Sequence, residues 1–435
     1  MIGIGERLDG DLLAPARPDL AGLVHWGGGA ARPIHRWFRY REGFSPALIA
    51  ALGLGRRILD PFCGAGSIMV GAAQQGRASV GIDVNPLAVF VARVKLSPLG
   101  GSDVAAATAF LDGFEAAAGG VAAGPTPALR IAAKVFEPRV LDAVLRLRTL
   151  IEQRAATPEL RNFLLLAWLS VLQPVGSYFK EGNGIKYRNR QRRKGGYVPR
   201  PDGRWQLDRF GADQEAFVWA AFRAKLAEML ADVPAWGDGN WNRQRVIDGD
   251  SLDTLGRFGA GSFDSVIFSP PYVNRFDYVE SQKVELWFGG FVDSYDAMLA
   301  LRKRSLRSHL GAALERPVLS LPEVEDLIAR MDPASYALRT RVPDLLRGYF
   351  SDMAAVLRRC RPLLVPGGRC CVVVGNSAYG GVIVPTDVLV ARLGLAAGFE
   401  AASVVPVRHL TVAPQQRTEL RGREGSMRES VVILS

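Results

Sequence analysis

The sequence predicts an α/β fold, in which a mostly parallel sheet with an antiparallel edge strand is interrupted by a mainly helical insertion. Residues 56–76 read as a short strand, a glycine-rich turn and an amphipathic helix, and residues 78–96 repeat the order of strand, turn and helix. The strand-then-turn pattern resumes at residues 243–255 and 262–272. Alternation of strands with helices is typical of a parallel α/β sheet.

The rest of the chain reads mainly as helices, followed by the last strands. Apolar residues recur with a helical period over residues 135–175 and 213–233, and a second helical stretch occupies about 283–360. Three further strand candidates complete the predicted sheet, at residues 369–377, 404–411 and 429–435.

These elements predict three regions. A Gly- and Pro-rich flexible arm covers residues 1–32, and a discontinuous α/β domain covers residues 33–98 and 243–435. Residues 99–242 form the mainly helical insertion, which contains a basic loop at 180–205. The basic loop makes the insertion a candidate target-recognition region, although no motif in it fixes that role.

Composition narrows the class of protein. Hydrophobic residues are 48% and charged residues 22% of the chain, so a sizeable core is expected and extensive disorder is not. The net charge of +11 favours an anionic partner, of which nucleic acid is the usual one. We expect no membrane segment, because no stretch approaches the roughly 18 uncharged apolar residues that a membrane helix needs. The four cysteines lack CxxC spacing, so we expect neither a disulfide framework nor a metal site. A cytoplasmic protein fits best.

The first candidate site is the glycine-rich turn at residues 60–67. Glycines between a strand and a helix let the backbone approach a ligand closely, and Asp83, at the end of the second strand, can accept both hydrogen bonds of a ribose diol. The spacing matches neither a dinucleotide fingerprint, which has glycine where Met69 stands, nor a P-loop. A nucleoside-type ligand without phosphate is therefore favoured, although such turns also occur without a ligand.

The second candidate site is the turn Ser269-Pro270-Pro271-Tyr272, directly after a predicted strand. The lone pair of an exocyclic amino nitrogen is delocalised into its base, so the nitrogen is a poor nucleophile. The Ser269 hydroxyl and the Pro270 carbonyl can accept hydrogen bonds from such an amino group and favour a tetrahedral nitrogen. Two consecutive prolines fix the acceptors in advance, and Tyr272 offers a face for a flipped base.

Together, DPFCGAGS, GIDVNP and SPPY resemble the motifs of S-adenosylmethionine-dependent amino-methyltransferases that act on nucleic acids. The resemblance implies a Rossmann-like sheet, with S-adenosylmethionine as cofactor. It places Asp83 at the ribose and Asp250 near the adenine amino group, where a helix N-cap is the alternative interpretation of Asp250. It also implies that the methionine part lies among Asp60, Phe62, Gly64 and Gly66. Ser67 stands where the family usually has Thr.

The SPPY version of the second motif resembles that of DNA cytosine-N4 methyltransferases. The expected activity is direct methyl transfer to an exocyclic amino nitrogen of duplex DNA with a flipped base, in a modification system that can include a restriction endonuclease. Adenine-N6 methylation, methylation of an RNA amino group such as guanine-N2 of tRNA, and an idle nucleic-acid-binding protein remain alternatives. Cytosine-C5 methylation is disfavoured, because it would need a nucleophilic cysteine.

A basic segment supplies the candidate contact with nucleic acid. Residues 180–205 contain nine Lys or Arg against two acids, interleaved with aromatic residues that can stack on bases. A solvated basic loop is the alternative. The candidate contact residues are Lys186, Arg188, Arg190, Arg192, Arg193 and Lys194.

Two further features have weaker assignments. The aromatic segment 37–40, with Phe44, either packs over the methionine end of the cofactor, as the resemblance implies, or belongs to the core. Asn376 follows another predicted strand and is a candidate for the same sheet edge.

Overall fold

The structure of the 435-residue chain is a computed structural model. The structure describes residues 11–25, 27, 31–40, 43–182, 184–193, 196–199, 204–411, 420, 422 and 424–435.

The described residues form thirteen strands. Their bounds are β1 Arg57–Asp60, β2 Ala78–Asp83, β3 Tyr178–Glu181, β4 Gly184–Tyr187, β5 Arg190–Arg193, β6 Gly196–Pro199, β7 Gln244–Asp248, β8 Phe263–Phe268, β9 Leu364–Gly375, β10 Ser377–Tyr379, β11 Val382–Val384, β12 Ala402–His409 and β13 Arg428–Leu434.

Seven of these strands make the central sheet, in the order β12-β13-β9-β8-β1-β2-β7. The pairs β7–β2, β2–β1, β1–β8 and β8–β9 are parallel, whereas β13 is antiparallel to both β9 and β12. The predicted α/β class, with a mostly parallel sheet and antiparallel pairing at one edge, is confirmed. The chain order reverses between β1 and β8, and ligands of open α/β sheets bind at the carboxyl ends of the strands beside such a reversal.

Helices connect and cover the strands. Their bounds are Leu48–Ala51, Ser67–Gln74, Pro86–Lys95, Gly101–Ala118, Ala132–Val135, Pro138–Arg154, Pro158–Val175, Arg204–Phe210, Gln214–Asp232, Ser251–Thr254, Tyr278–Ser281, Lys283–Phe288, Tyr295–Arg304, Pro322–Ala329, Tyr336–Arg339, Val342–Cys360 and Thr386–Ala396.

Both faces of the sheet are packed. Successive residues of a strand point to opposite faces. On β8, Ile267 joins an apolar cluster with Ile49, whereas Phe268 joins another with Leu345 of helix Val342–Cys360. Burial on two faces explains the continuous apolar runs at residues 266–268 of β8 and 370–374 of β9. Within the described part of the chain, no helix combines the length and the apolarity needed to cross a bilayer.

The sequence predicted that the basic segment is a loop, and this prediction is wrong. Its described residues form two antiparallel hairpins, β3–β4 and β5–β6, followed by the start of helix Arg204–Phe210. The reason is visible on β4, where Ile185 and Tyr187 alternate with Gly184 and Lys186 and pack against the core. This period-two pattern is short and is obscured by the surrounding basic residues.

The prediction of a flexible N-terminal arm is wrong for residues 11–25. The Val404 amide donates to the Leu12 carbonyl at 2.7 Å, and the Ala14 amide donates to the Val404 carbonyl at 2.9 Å, so this segment pairs with the edge strand β12. Leu20 and Val24 are buried in an apolar cluster. Edge pairing and apolar burial fix the segment, which its Gly and Pro content does not reveal. Residues 1–10 lie outside the described residues.

Candidate active site

A cavity of about 340 Å³ opens at the carboxyl ends of β1, β2, β7 and β8, beside the reversal of strand order. It brings together residues from both predicted turns. Of the predicted site residues, those lining it are Phe62, Gly64, Asp83, Asp250, Ser269, Pro270, Pro271 and Tyr272. Asp60 and Gly66 lie in the first turn without lining the cavity.

Backbone conformation explains the glycines of the first turn. Gly64 and Gly66 have φ angles of +51° and +75°, in the left-handed region that favours glycine. A Cβ on Gly64 would lie 2.9 Å from the Tyr40 ring, and one on Gly66 would lie 2.9 Å from the Ala92 side chain. The turn therefore excludes larger residues at both positions, and it begins helix Ser67–Gln74 beneath the cavity.

Asp60 supports the turn from inside the protein. Its Oδ1 accepts a hydrogen bond from the Phe62 amide at 3.0 Å. Burial raises the pKa of Asp60 to about 8, against the lowering effect of that hydrogen bond. Without a ligand, Asp60 is therefore protonated over much of the neutral range.

Asp83 lies at the end of β2, facing the cavity. Its Oδ2 accepts from the Gly64 amide and its Oδ1 from the Asn85 amide, both at 2.8 Å. Burial raises the pKa of Asp83 to about 6, and the hydrogen bonds partly offset this effect. Each carboxylate oxygen keeps a second lone pair, so Asp83 can still accept hydrogen bonds from a ligand while it holds the turn.

Asp250 has the N-cap role that was the alternative interpretation, and it also lines the cavity. Its side chain accepts from the Leu252 amide at 2.8 Å and caps helix Ser251–Thr254. Burial raises its pKa. The neighbouring Ser251 hydroxyl donates to the Pro61 carbonyl, which ties the end of β7 to the glycine turn.

The second turn is held at several points. The Tyr272 hydroxyl donates to Glu429 Oε1 at 2.6 Å, and the Tyr379 hydroxyl donates to the Val273 carbonyl at 2.7 Å. Burial raises the pKa of Tyr272 above its ordinary value, and the neighbouring Glu429 carboxylate adds to this effect. Tyr272 is therefore a neutral phenol.

The two turns are joined by side chains. The Asn85 amide nitrogen donates to Gln282 Oε1 at 2.7 Å, which connects the end of β2 to the segment after the second turn. Asp277 caps helix Tyr278–Ser281 and accepts from Arg302 Nε at 2.7 Å. The relative position of the turns is thus fixed by buried polar contacts rather than by the strands alone.

Sequence reasoning missed part of the cavity wall. His309 is buried there, 3.4 Å from Asp277 Oδ2, and burial lowers its pKa, so its imidazole is neutral. The other missed lining residues include Arg304, Ser308, Arg316, Arg408 and Glu429. Glu429 and Arg408 lie on predicted strands, but neither belongs to a sequence motif that marks the cavity.

The weaker predictions have mixed outcomes. Within segment 37–40, Tyr40 lines the cavity, whereas Trp37 packs against Phe163 and Trp236 in the core. Phe44 also lies in an apolar cluster. Asn376 does not face the cavity, because its side-chain amide donates to the Ser426 carbonyl and accepts from the Asp387 amide.

The predicted nucleic-acid contacts lie on the hairpins rather than in the cavity. Arg188 donates to the Tyr178 carbonyl at 3.1 Å and stacks on Phe179, while Lys186 and Arg190 are half-buried on β4 and β5. Strand β4 packs against helix Tyr278–Ser281, and Tyr278 of that helix lines the cavity. The remaining candidates divide between β5, which holds Arg192 and Arg193, and the residues outside the description, which include Lys194.

Three named relatives match most of the chain, whereas no protein-family model matches it. The Type II methyltransferase M.BsoBI of Geobacillus stearothermophilus is 23% identical over 465 residues, which cover 94% of this chain and 87% of the relative. The Type II methyltransferases M.AvaI of Nostoc sp. and of Anabaena variabilis are 22% identical over 412 residues, covering 88% of this chain and 82% of each relative. The resemblance to DNA methyltransferases seen in the motifs is thereby confirmed: over most of its length, the chain is similar to proteins named as Type II methyltransferases.

Proposed function

We propose that the protein is a DNA amino-methyltransferase that transfers the methyl group of S-adenosylmethionine to an exocyclic amino nitrogen, most favourably N4 of cytosine. The observation that carries the proposal is the shared cavity, into which the glycine turn and the SPPY turn both open. The relatives named as Type II methyltransferases match most of the chain and support methyl transfer to DNA.

The residues of the first turn fit S-adenosylmethionine. The free lone pairs of Asp83 can accept from the ribose hydroxyls, and Asp250 can accept from the adenine amino group. The left-handed Gly64 lets the backbone of the turn lie directly against Tyr40, and both residues line the cavity. Asp60, Phe62 and Gly66 shape the part of the turn where the methionine moiety is expected. When bound, S-adenosylmethionine supplies a methyl group activated by its own positive sulfur.

The residues of the second turn prepare the acceptor nitrogen. The Ser269 hydroxyl and the Pro270 carbonyl accept hydrogen bonds from the amino group, while Tyr272 stacks on the flipped base. Direct transfer requires positioning rather than a covalent enzyme intermediate. All four cysteines are buried and none lines the cavity, and burial raises the pKa of the Cys63 thiol. These observations argue against transfer to carbon, which needs a thiolate nucleophile.

Labelled transfer tests the activity. The protein is incubated with S-adenosylmethionine carrying a tritiated methyl group and, in separate reactions, with unmethylated duplex DNA, the same DNA as single strands, or unmodified tRNA. We expect label in duplex DNA. Label confined to tRNA would favour the RNA alternative, and label in no nucleic acid would favour the idle protein. In cells that express the chain, DNA should be protected from cleavage by a restriction endonuclease that recognises the same sequence.

We also propose that the two hairpins contact the DNA backbone next to the cavity. The hairpins carry most of the basic segment, and β4 packs against the helix that contributes Tyr278 to the cavity. Arg and Lys side chains bind phosphates by charge-assisted hydrogen bonds.

Salt dependence tests this contact. Changing Lys186 and Arg190 together to Gln should weaken duplex binding and lower the slope of log affinity against log salt by about 2, roughly 0.9 for each lost phosphate contact. The matched control changes Arg358 and Arg359 to Gln. Both are exposed near the end of helix Val342–Cys360, which leads into the start of β9, whereas the cavity lies at the carboxyl ends of the strands. Equal slopes for the two double variants would contradict the contact.

A further inference from the structure

We propose that Glu429 is a positioning residue, which fixes the ring of Tyr272 in the orientation that stacks on the target base. The proposal rests on the proposed function and deepens it. None of the sequence motifs includes Glu429, which lies on β13, far along the chain from the SPPY turn.

A short hydrogen bond joins the two side chains. The Tyr272 hydroxyl donates to Glu429 Oε1 at 2.6 Å, and both residues line the cavity. Glu429 is only 3% exposed. A hydrogen bond from a hydroxyl to a buried carboxylate is short and roughly twice as strong as one between neutral groups, so it can fix the phenol ring.

Arg408 offsets the desolvation cost of the buried Glu429 carboxylate. Its Nε donates to Glu429 Oε2 at 2.5 Å, from the neighbouring strand β12. A buried carboxylate without a partner would be costly, whereas here one oxygen faces a guanidinium and the other a phenol. Because Arg408 also lines the cavity, the group Tyr272–Glu429–Arg408 forms one continuous part of its wall.

The backbone of β9 confines the ring from the side. Gly375 is the register partner of Glu429 in the β9–β13 pair. A Cβ on Gly375 would lie 2.9 Å from Tyr272 Cε2, so only glycine leaves room for the ring at this position. Two segments distant in sequence from the SPPY turn therefore determine one ring orientation: the ring rests against β9, and its hydroxyl is bound to β13.

This arrangement separates two functions of Tyr272. The ring supplies the face that stacks on the base. The hydroxyl does not contact the base but orients the ring through its hydrogen bond to Glu429. A Phe at position 272 keeps the face but loses the tie to Glu429. Small losses of orientation in an active site lower the reaction rate strongly, since a displacement of about 1 Å can reduce the rate about 100-fold.

A double-mutant cycle tests the role of Glu429. The variants are Tyr272→Phe, Glu429→Ala and their combination, with single-turnover transfer of tritiated methyl groups to unmethylated plasmid DNA as the readout. We expect each single variant to transfer about 10-fold more slowly or worse, with the Kd for S-adenosylmethionine changed less than about twofold, because only orientation is lost. The losses in the double variant should be far from multiplicative, because both changes break the Tyr272–Glu429 hydrogen bond.

Two further variants exclude a general structural effect. Glu429→Gln keeps an acceptor for the phenol and should recover part of the rate lost in Glu429→Ala. Tyr349→Phe removes the hydroxyl of another buried tyrosine, which has no hydrogen-bond partner among the described residues, and should keep the wild-type rate.

The outcomes separate the two proposals. If wild type transfers methyl groups but Tyr272→Phe does so equally fast, or the losses in the double variant multiply, Glu429 is not a positioning residue and the proposed function stands. If wild type transfers no methyl group to DNA, the proposed function fails, and the role of Glu429 fails with it.

Discussion

The two sides of the cavity are built in different ways. One side, which we call the glycine-turn wall, consists of Phe62, Gly64, Asp83 and Asp250. Its shape comes from backbone conformation, since left-handed glycines and backbone amides bound by Asp83 define it locally. The other side, the SPPY wall, contains residues 269–272 together with Ser308, His309, Arg408 and Glu429. Its added side chains come from distant segments, so it depends on tertiary packing.

The difference shows which wall of the cavity can be predicted from a short sequence motif. The glycine-turn wall can be read from short segments, because each local residue choice has a local cause. The SPPY wall requires the register of β9 with β13, which places Gly375 opposite Glu429, and no short segment contains that information. Substitutions on the two walls should therefore fail in different ways.

The largest effect is expected on the SPPY wall. Tyr272→Ala removes the stacking face, and single-turnover methyl transfer should fall at least 100-fold, on the order of the 1–3 kcal/mol of a base–aromatic stack plus lost orientation. The Kd for S-adenosylmethionine, measured by isothermal titration calorimetry, should change less than about twofold, because the change leaves the glycine turn intact. A large rise in this Kd with an unchanged transfer rate would reverse the assignment of the two walls.

The next effect is expected on the glycine-turn wall. Asp83→Ala removes the acceptor for the ribose and a partner of the Gly64 amide, so the Kd for S-adenosylmethionine should rise about 10- to 100-fold, as for the loss of hydrogen bonds to a charged group. Transfer at saturating cofactor should suffer less. A Kd equal to that of wild type would remove Asp83 from the cofactor site.

The same residue should make cofactor binding depend on pH. The pKa of Asp83 is about 6, and only the ionised carboxylate accepts hydrogen bonds with both oxygens. Affinity should therefore fall as the pH drops from 7 to 5, whereas Asp83→Asn should bind weakly with little dependence over this range. Isothermal titration calorimetry at several pH values measures the Kd for S-adenosylmethionine of wild type and of Asp83→Asn. The same pH dependence in both proteins would contradict the assignment of Asp83 to the cofactor site.

The smallest effect concerns stability rather than activity. The pKa of Asp60 is about 8 in the folded protein and lies near 4 in an unfolded chain, so the folded state binds more protons between these values. Wild-type stability should fall as the pH rises through this range. The melting temperature of Asp60→Asn, measured without cofactor, should exceed that of wild type at pH 9 by at least about 2 °C, and this advantage should shrink toward pH 5.

Asp264 provides the control with the opposite sign. Burial tends to raise its pKa, but hydrogen bonds from Arg57 and the backbone lower it overall. Asp264→Asn should destabilise the protein at neutral pH, with a loss that diminishes as the carboxylate becomes protonated in acid. The same pH trend in both variants would show that the burial of Asp60 is not the cause.

The sequence predicted the fold class and the two turns, because these depend on local patterns. Strand and helix periods alternate along the chain, and the glycines and prolines of the turns constrain the backbone where they stand. The order β7-β2-β1-β8 then brings Asp83 and Tyr272 to one cavity.

Other features depend on contacts that a linear reading does not contain. The hairpins of the basic segment depend on the burial of Ile185 and Tyr187, and the ordered segment 11–25 depends on the free edge of β12. Glu429 reaches Tyr272 only because β13 lies between β9 and β12. In each case the deciding partner is more than 100 residues away, or its signal is outweighed by the local composition.

The protein is proposed to methylate an amino nitrogen of a DNA base that is bound in this cavity. This claim is tested most directly by mass spectrometry of the nucleosides in DNA from cells that express the chain, beside cells that express Tyr272→Ala. We predict N4-methylcytosine in the first DNA and none in the second. The finding of 5-methylcytosine instead, or of no new methylated nucleoside, would contradict the claim, while N6-methyladenine would retain the chemistry and change the base.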